Sequence, residues 1–248
     1  MIKLQTGIMN LPALPSQHLL QQQASWLAPA RARLLRRTGI AHRRPILDLG
    51  AGYGAVTGEL VRRGSGLVVA LDRETAALPK SAHNECVNGD ALRLPFADET
   101  FDLVFCQCVL LWVGDVETAV AEIYRVLQPG GILIALEPDY AGMIEYPPEI
   151  ATRDLWLAAL TRAGAEPEIG RQLPGLLTQT DFQVELNLLN KVLPASPTRF
   201  DFLQTLPLAE TERSRLNQCA NFSDQLTERW AQIAHLPFFL ISATKGGG

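Results

Sequence analysis

No stretch of this 248-residue chain sustains an apolar run near the ~18 residues that a helix needs to cross a bilayer. The opening residues also lack a basic segment leading into an apolar core and a small-residue cleavage site. Both absences point to a cytoplasmic protein without a membrane span. Cysteine is scarce and spaced wrongly for metal: Cys86, Cys106, Cys108 and Cys219 make no C-x-x-C pair, and Cys106 and Cys108 sit in an apolar run. They read as a metal or redox pair or as small buried hydrophobes, and C-x-C alone favours the second. The histidines, His18, His42, His83 and His235, are scattered likewise, so no metal is expected. An excess of positive charge is missing too. With 22 basic and 26 acidic side chains the formal net charge is -4, which argues against a general nucleic-acid binder while leaving room for a local basic patch.

What the chain does have is apolar material, 47% of its residues, enough at this length for one sizeable core and a single domain with insertions. Residues 1–20 are apolar and broken by prolines. An amphipathic helix is expected over 21–38, with Trp26, Leu27, Leu34 and Leu35 on its apolar side and Arg31, Arg33, Arg36 and Arg37 on a solvated one. Gly39 ends it. The rest of the chain is organised around Ile46-Leu47-Asp48-Leu49-Gly50-Ala51-Gly52-Tyr53-Gly54, a strand-like run that breaks into alternate glycines and resumes as a helix over 55–63. Bare backbone at such a turn can approach a ligand closely, and the new helix offers unpaired N–H groups. Gly50, Gly52 and Ala55 also satisfy the loose dinucleotide pattern G-x-G-x-x-G/A, so the glycines leave the ligand open. Asp48 shifts the balance, because a carboxylate two residues before the first glycine suits a cationic ligand better than a pyrophosphate.

Two further strand ends carry acids. The apolar run 67–72 ends in Asp72, 22 residues after Gly50, where a carboxylate can accept both hydroxyls of a ribose. The run 85–88 leads to Gly89-Asp90-Ala91, and there Asp90 can accept from an adenine amine while the Ala91 amide donates to the ring. A fourth strand is expected over 101–106 and continuing past Gln107 through 109–113, then a helix over 116–127 with Val120, Ile123, Tyr124 and Leu127 on one face. Pro129-Gly130-Gly131 stops that helix, and a fifth strand over 132–136 ends in Glu137-Pro138-Asp139-Tyr140. This alternation predicts a mostly parallel sheet with helices on both faces.

The ordered set resembles the class I S-adenosylmethionine-dependent methyltransferases. It comprises D-L-G-A-G-Y-G at 48–54, Asp72, G-D-A at 89–91, L-P-F at 94–96 with F-D-L-V at 101–104, and the helix followed by P-G-G at 129–131. Within that class it is similar to the small-molecule branch that includes the ubiquinone/menaquinone-biosynthesis methyltransferases. The resemblance implies an α/β fold, a doubly wound Rossmann-like seven-stranded sheet of order 3-2-1-4-5-7-6 with the last strand antiparallel and helical lid insertions. The alternating run 182–188 fits the sixth strand and 238–244 the seventh; between the fifth and sixth lie a helix around 149–163 and a run at 169–177 that resembles the G-R-x-L-P-x-L-L segment of such enzymes. A single domain results, with 1–44 as an N-terminal lid segment, 45–140 as the cofactor-binding core, 141–236 as an acceptor and lid region, and 237–245 as the last strand. The implied cofactor is S-adenosylmethionine, and the implied cofactor residues are Asp48, Gly50, Ala51, Gly52, Asp72, Arg73, Gly89, Asp90, Ala91 and Gln107.

Methyl transfer from a sulfonium by in-line displacement needs mainly proximity and exclusion of water, so a dedicated catalytic residue is not required. Family members often place a histidine after strand four, where this chain reads Val109-Leu110-Leu111-Trp112; that departure implies an apolar pocket for a small-molecule acceptor. On the acceptor side stand Trp112, which also reads as core, Tyr140, and Arg171, which could grip a carboxylate. Glu137 and Tyr140, with Asp139, are the candidates for a general base, and capping or loop-ordering roles suit them too. The lid is expected from the N-terminal segment and from 196–235, where Phe200, Phe202, Leu203, Leu206 and Leu208 give an apolar side and Pro194, Pro197 and Pro207 break the helix. The other function class is a non-catalytic S-adenosylmethionine-binding protein acting through a partner; retention of Asp48, Asp72 and Asp90 favours the enzyme. The Asn/Asp-Pro-Pro-aromatic motif of nucleic-acid amino-methylating enzymes is missing after strand four.

Overall fold

The computed structural model describes residues 14–74, 77–78, 84–189, 191–192, 195–196 and 198–247. Most of the apolar opening, His83, Pro194 and Pro197 lie outside them. The strands are β1 (Ile46–Leu49), β2 (Val68–Asp72), β3 (Asn84–Asn88), β4 (Phe101–Gln107), β5 (Leu127–Pro138), β6 (Ile144–Tyr146), β7 (Phe182–Leu188), β8 (Ile233–His235) and β9 (Phe238–Lys245). Seven of them form one sheet in the order β3-β2-β1-β4-β5-β9-β7. Strands β1 to β5 run parallel, while β9 is antiparallel to both β5 and β7. This is the expected topology, with β7 and β9 as the expected sixth and seventh strands. The separate ribbon of β6 and β8 was not legible, each being three residues long.

Every residue of β1 and β2 is buried, as a parallel sheet covered on both faces requires. Successive side chains alternate between two core layers. Leu47, Leu49 and Val104 pack on one side with Val120 and Ile123 of α3 (Val116–Val126) and Leu173 of α5 (Ile169–Gln179). Ile46, Leu103 and Phe105 pack on the other with Leu27, Leu34 and Leu35 of α1 (Gln17–Arg37) and Leu60 of α2 (Thr57–Arg63). Burying a leucine fully contributes about 1.5–3 kcal/mol, so these stripes rather than propensity hold the helices in place. The remaining helices are α4 (Arg153–Arg162), α6 (Arg199–Gln204) and α7 (Glu210–Asp224).

Three local expectations are corrected. Helix α1 starts at Gln17 rather than 21, because the Ser16 hydroxyl accepts from the Leu19 amide at its N-terminus. Arg31 is not on a solvated face: it is 3% exposed and lies on the buried stripe with Leu27, Leu34 and Leu35. The stretch 109–113 does not extend β4 but turns away as a short 3-10 helix, Leu110–Trp112. The turn begins at Cys108, whose φ of +56° is a left-handed conformation costing an L-residue about 1–2 kcal/mol. Helix α3 starts as read, with Asp115 accepting from the Thr118 amide, but it ends at Val126 ahead of Pro129-Gly130-Gly131, and Gly130 (φ +75°) lies within β5, which begins at Leu127.

Candidate functional site

The C-terminal ends of β1, β2, β3 and β4 open into a cavity of about 680 Å³. Asp48, Gly50, Ala51, Gly52, Asp72, Arg73, Gly89, Asp90, Ala91 and Gln107 all line it, so the sequence-derived cofactor residues, spread over sixty positions, come together in one place. Gly50 has φ +68°, and a Cβ there would lie 2.5 Å from Val109 Cγ2, so only glycine lets the turn pass beneath the loop that follows β4. Asp48 is buried at the base of the turn and accepts a 2.5 Å hydrogen bond from the Thr57 hydroxyl, the first residue of α2. Burial pushes its carboxyl up from 3.8 to about 7; the Thr57 bond and the Arg31 charge pull the other way. A cation placed beside Asp48 would restore its ionised form.

Asp72 closes the glycine turn from the next strand. Its Oδ2 accepts from the Gly52 amide at 2.8 Å and its Oδ1 from the Glu74 amide at 2.9 Å. Each oxygen keeps capacity for a second hydrogen bond, and Asp72 lines the cavity. Asp90 is exposed at the rim, its Oδ1 accepting from Leu92 N at 3.0 Å, and a Cβ on the neighbouring Gly89 would lie 2.8 Å from Leu71 Cδ1. Gln107 stands at the end of β4, held from behind by Arg31, whose Nη1 donates to its Oε1 at 2.8 Å.

The cavity is lined by apolar and aromatic side chains as well. Trp112 and Tyr140 are among them, joined by Trp156 and Leu160 of α4 and by Phe202 and Leu206 at α6. Tyr140 stacks on Trp156 with centroids 4.7 Å apart. Burial drives the Tyr140 hydroxyl pKa far above its usual value, with the Cys108 and Glu137 charges adding to the shift, so at neutral pH this hydroxyl stays protonated and can donate. Trp156 and Leu160 were not singled out from the sequence, although Leu155, Trp156, Ala159 and Leu160 form a helical stripe that could have shown them.

Two acceptor-side expectations are placed elsewhere. Glu137 does not line the cavity: it is fully buried behind the loop after β4, where its Oε1 accepts from the amides of Val109 and Leu110, each at 3.0 Å. Burial raises it from 4.5 to about 7, the amide bonds opposing. These bonds offset the left-handed turn at Cys108 and set where Val109 and Trp112 stand. Arg171 is likewise outside the lining; its exposed side chain donates through Nε to buried Asp139 Oδ2 at 2.7 Å, an ion pair away from the cavity wall. Among the described residues there is no group of three or more histidine, cysteine or acidic side chains able to hold a metal, and no helix long and apolar enough to cross a membrane.

Residues 47–135 match the family described as a methyltransferase domain. Malonyl-[acyl-carrier protein] O-methyltransferase 1 of Coxiella burnetii is 37% identical over 105 residues, covering 41% of this chain and 37% of its own. Demethylmenaquinone methyltransferase of Corynebacterium kroppenstedtii is 39% identical over 114 residues, covering 45% of this chain and 48% of its own. The chain thus spans between about a third and a half of the length of these curated relatives. Among solved structures, phosphoethanolamine N-methyltransferase 2 of Haemonchus contortus in complex with S-adenosylmethionine superposes with a TM-score of 0.59 at 18% identity, covering 88% of this chain and 52% of that one. The matched segment takes in the glycine turn, β2 to β4 and most of β1 and β5, so residues 47–135 are similar to a methyltransferase domain, and the sheet has the Rossmann-like fold of S-adenosylmethionine-dependent methyltransferases.

Proposed function

We propose that the chain binds S-adenosylmethionine at the strand ends and transfers its methyl group to a small apolar acceptor in the adjoining half of the cavity. The observation that carries this reading is the convergence of Asp48, Asp72 and Asp90, from the ends of three successive strands, on a cavity that Trp112, Tyr140, Trp156 and Phe202 also line. A nucleoside with a cationic tail fits such a donor set: Asp90 and Ala91 at the base, Asp72 at the ribose, Asp48 near the positive charge. The aromatic and apolar part of the lining suits an acceptor that must meet the cofactor with water excluded.

When bound, S-adenosylmethionine supplies an activated methyl on sulfur. The chain's own residues bind, align and enclose. The loop pinned by Glu137 fixes Val109 and Trp112, the Tyr140 hydroxyl donates to an acceptor oxygen or nitrogen, and α1, α4 and α6 cover the opening. Proximity and desolvation are the main sources of acceleration in this scheme, which assigns neither Glu137 nor Tyr140 the role of general base. The relatives' names offer two acceptors to try, a demethylmenaquinone and a malonyl thioester on acyl carrier protein. No affinity for nucleic acid is part of the proposal, and the working compartment proposed is the cytoplasm.

Incubation with methyl-tritiated S-adenosylmethionine and each of these acceptors tests the reading through label recovered in the acceptor. Binding of the cofactor with no label in any small molecule would favour the non-catalytic alternative.

A further inference from the structure

Arg31 is buried to 3% exposure between α1, α2 and the end of β4. Its Nε and Nη2 donate to Glu59 Oε2 at 2.9 and 2.7 Å, and its Nη1 donates to the Ala24 carbonyl at 2.9 Å and to Gln107 Oε1 at 2.8 Å. Glu59 Oε1 in turn accepts from Arg63 Nε at 2.7 Å. A guanidinium has donors only, so it fixes which end of the Gln107 amide faces it: the oxygen turns back to Arg31 and the NH2 turns forward. Among the described residues that NH2 has no partner, and Gln107 lines the cavity. Cys106 pairs in register with Leu49, so Gln107, one residue on, stands beside Gly50 at the glycine turn. The arginine charge polarises the amide and strengthens its donors.

We propose that Arg31 is a positioning residue that orients Gln107 to donate to a carboxylate of the bound ligand. On the reading above, that group is the carboxylate at the amino-acid end of the cofactor, with Asp48 left for its positive charge. The proposal rests on that reading and adds to it a rule of discrimination. It also makes α1 part of the binding site, because Arg31 is the α1 side chain that reaches Gln107. The helix that brings it there lines the cavity with Leu20 and Gln23 in its first two turns.

The test is calorimetric titration with S-adenosylhomocysteine and with its decarboxylated analogue, in which hydrogen replaces the carboxylate. The unaltered protein should prefer S-adenosylhomocysteine by roughly tenfold or more, as a hydrogen bond to a charged group warrants. Gln107→Glu keeps a partner for Arg31 but turns a carboxylate oxygen into the cavity, so the preference should invert. Arg31→Met frees the amide to rotate and should reduce the preference to about threefold or less, with Arg31→Lys recovering part of it. If Arg31→Met does not fold, Gln107→Glu alone decides. A preference unchanged in a folded Gln107→Glu variant would overturn the proposal while leaving the cofactor reading intact. Failure of S-adenosylhomocysteine to bind the unaltered protein would overturn both.

Discussion

Trp26 of α1 meets Phe202 of α6 edge to face, with ring centroids 5.9 Å apart and planes inclined by 61°. The contact joins two segments 176 positions apart beside the cavity, where Leu20, Phe202 and Leu206 line the wall. These are the two segments expected to form a lid. Helix α6 is six residues long, and short elements held by a few contacts open at low cost. S-adenosylhomocysteine plus an acceptor should therefore slow amide exchange over 14–26 and 198–216 more than S-adenosylhomocysteine alone does. Exchange unaffected there, with 50–54 protected, would mean the acceptor site lies in the loops after β4 and β5.

Asp48 and Glu137 make the ligand-free protein sensitive to pH. Both folded-state pKa values are raised by burial, to about 7, whereas the unfolded chain ionises these groups near ~4. Between those limits the folded state holds protons that the unfolded state has lost. The stabilisation they give is full below about pH 4 and is lost as pH rises through about 7. Thermal scans between pH 5 and 8 should show a shallower decline for Asp48→Asn than for the parent. A ligand cation near Asp48 draws the other way, so S-adenosylmethionine should bind more tightly as pH rises toward 7 and release a proton on binding. Calorimetry in buffers of differing ionisation enthalpy measures that release, and Asp48→Asn should abolish it.

Asp72 has two duties in this structure, one to its own backbone and one proposed toward the ribose. Replacing it by alanine strips the acceptor from the Gly52 and Glu74 amides, and lost bonds to a carboxylate cost about 1.5–3 kcal/mol each when no water replaces it. Asp72→Ala should therefore lower the melting temperature without ligand and also weaken S-adenosylhomocysteine binding at least tenfold. An unaltered dissociation constant would place the ribose elsewhere.

Glu137 tests whether a buried carboxylate acts as base or as brace. Glu137→Gln keeps an oxygen for the Val109 and Leu110 amides but cannot take a proton, whereas Glu137→Ala loses both bonds. Methyl transfer should survive the first change within about threefold and fall by tenfold or more with the second, as a displaced Trp112 loop misaligns the acceptor. A glutamine variant as inactive as the alanine one would restore Glu137 as a proton acceptor.

The residues proposed for the cofactor could be brought to one cavity from the sequence because they sit at fixed places, strand ends and a glycine turn, that short motifs encode. The acceptor half was legible only as composition. Trp156 reaches the cavity through the packing of α4 on the loop after β5, and Arg171 misses it because Asp139 holds it; neither outcome has a local signature. Arg31 was misread for a related reason. Its charge suggested solvent, yet its position on the α1 stripe, four residues after Leu27, already placed it inward, and Glu59 supplies the partner that burial demands. The turn at Cys108 was read as strand because Val109 to Val113 is a continuous apolar run with valine at each end. The amides that Glu137 accepts lie 27 and 28 residues away and leave no trace in that run.

The most direct measurement is a paired calorimetric titration of the purified chain with S-adenosylhomocysteine and with NAD. The glycine turn alone suits either ligand; Asp48 buried beneath it suits a cationic ligand better than a pyrophosphate. Saturable binding of one S-adenosylhomocysteine per chain, with no heat from NAD at the same concentrations, is the expected result. Tight binding of NAD with no response to S-adenosylhomocysteine would contradict it.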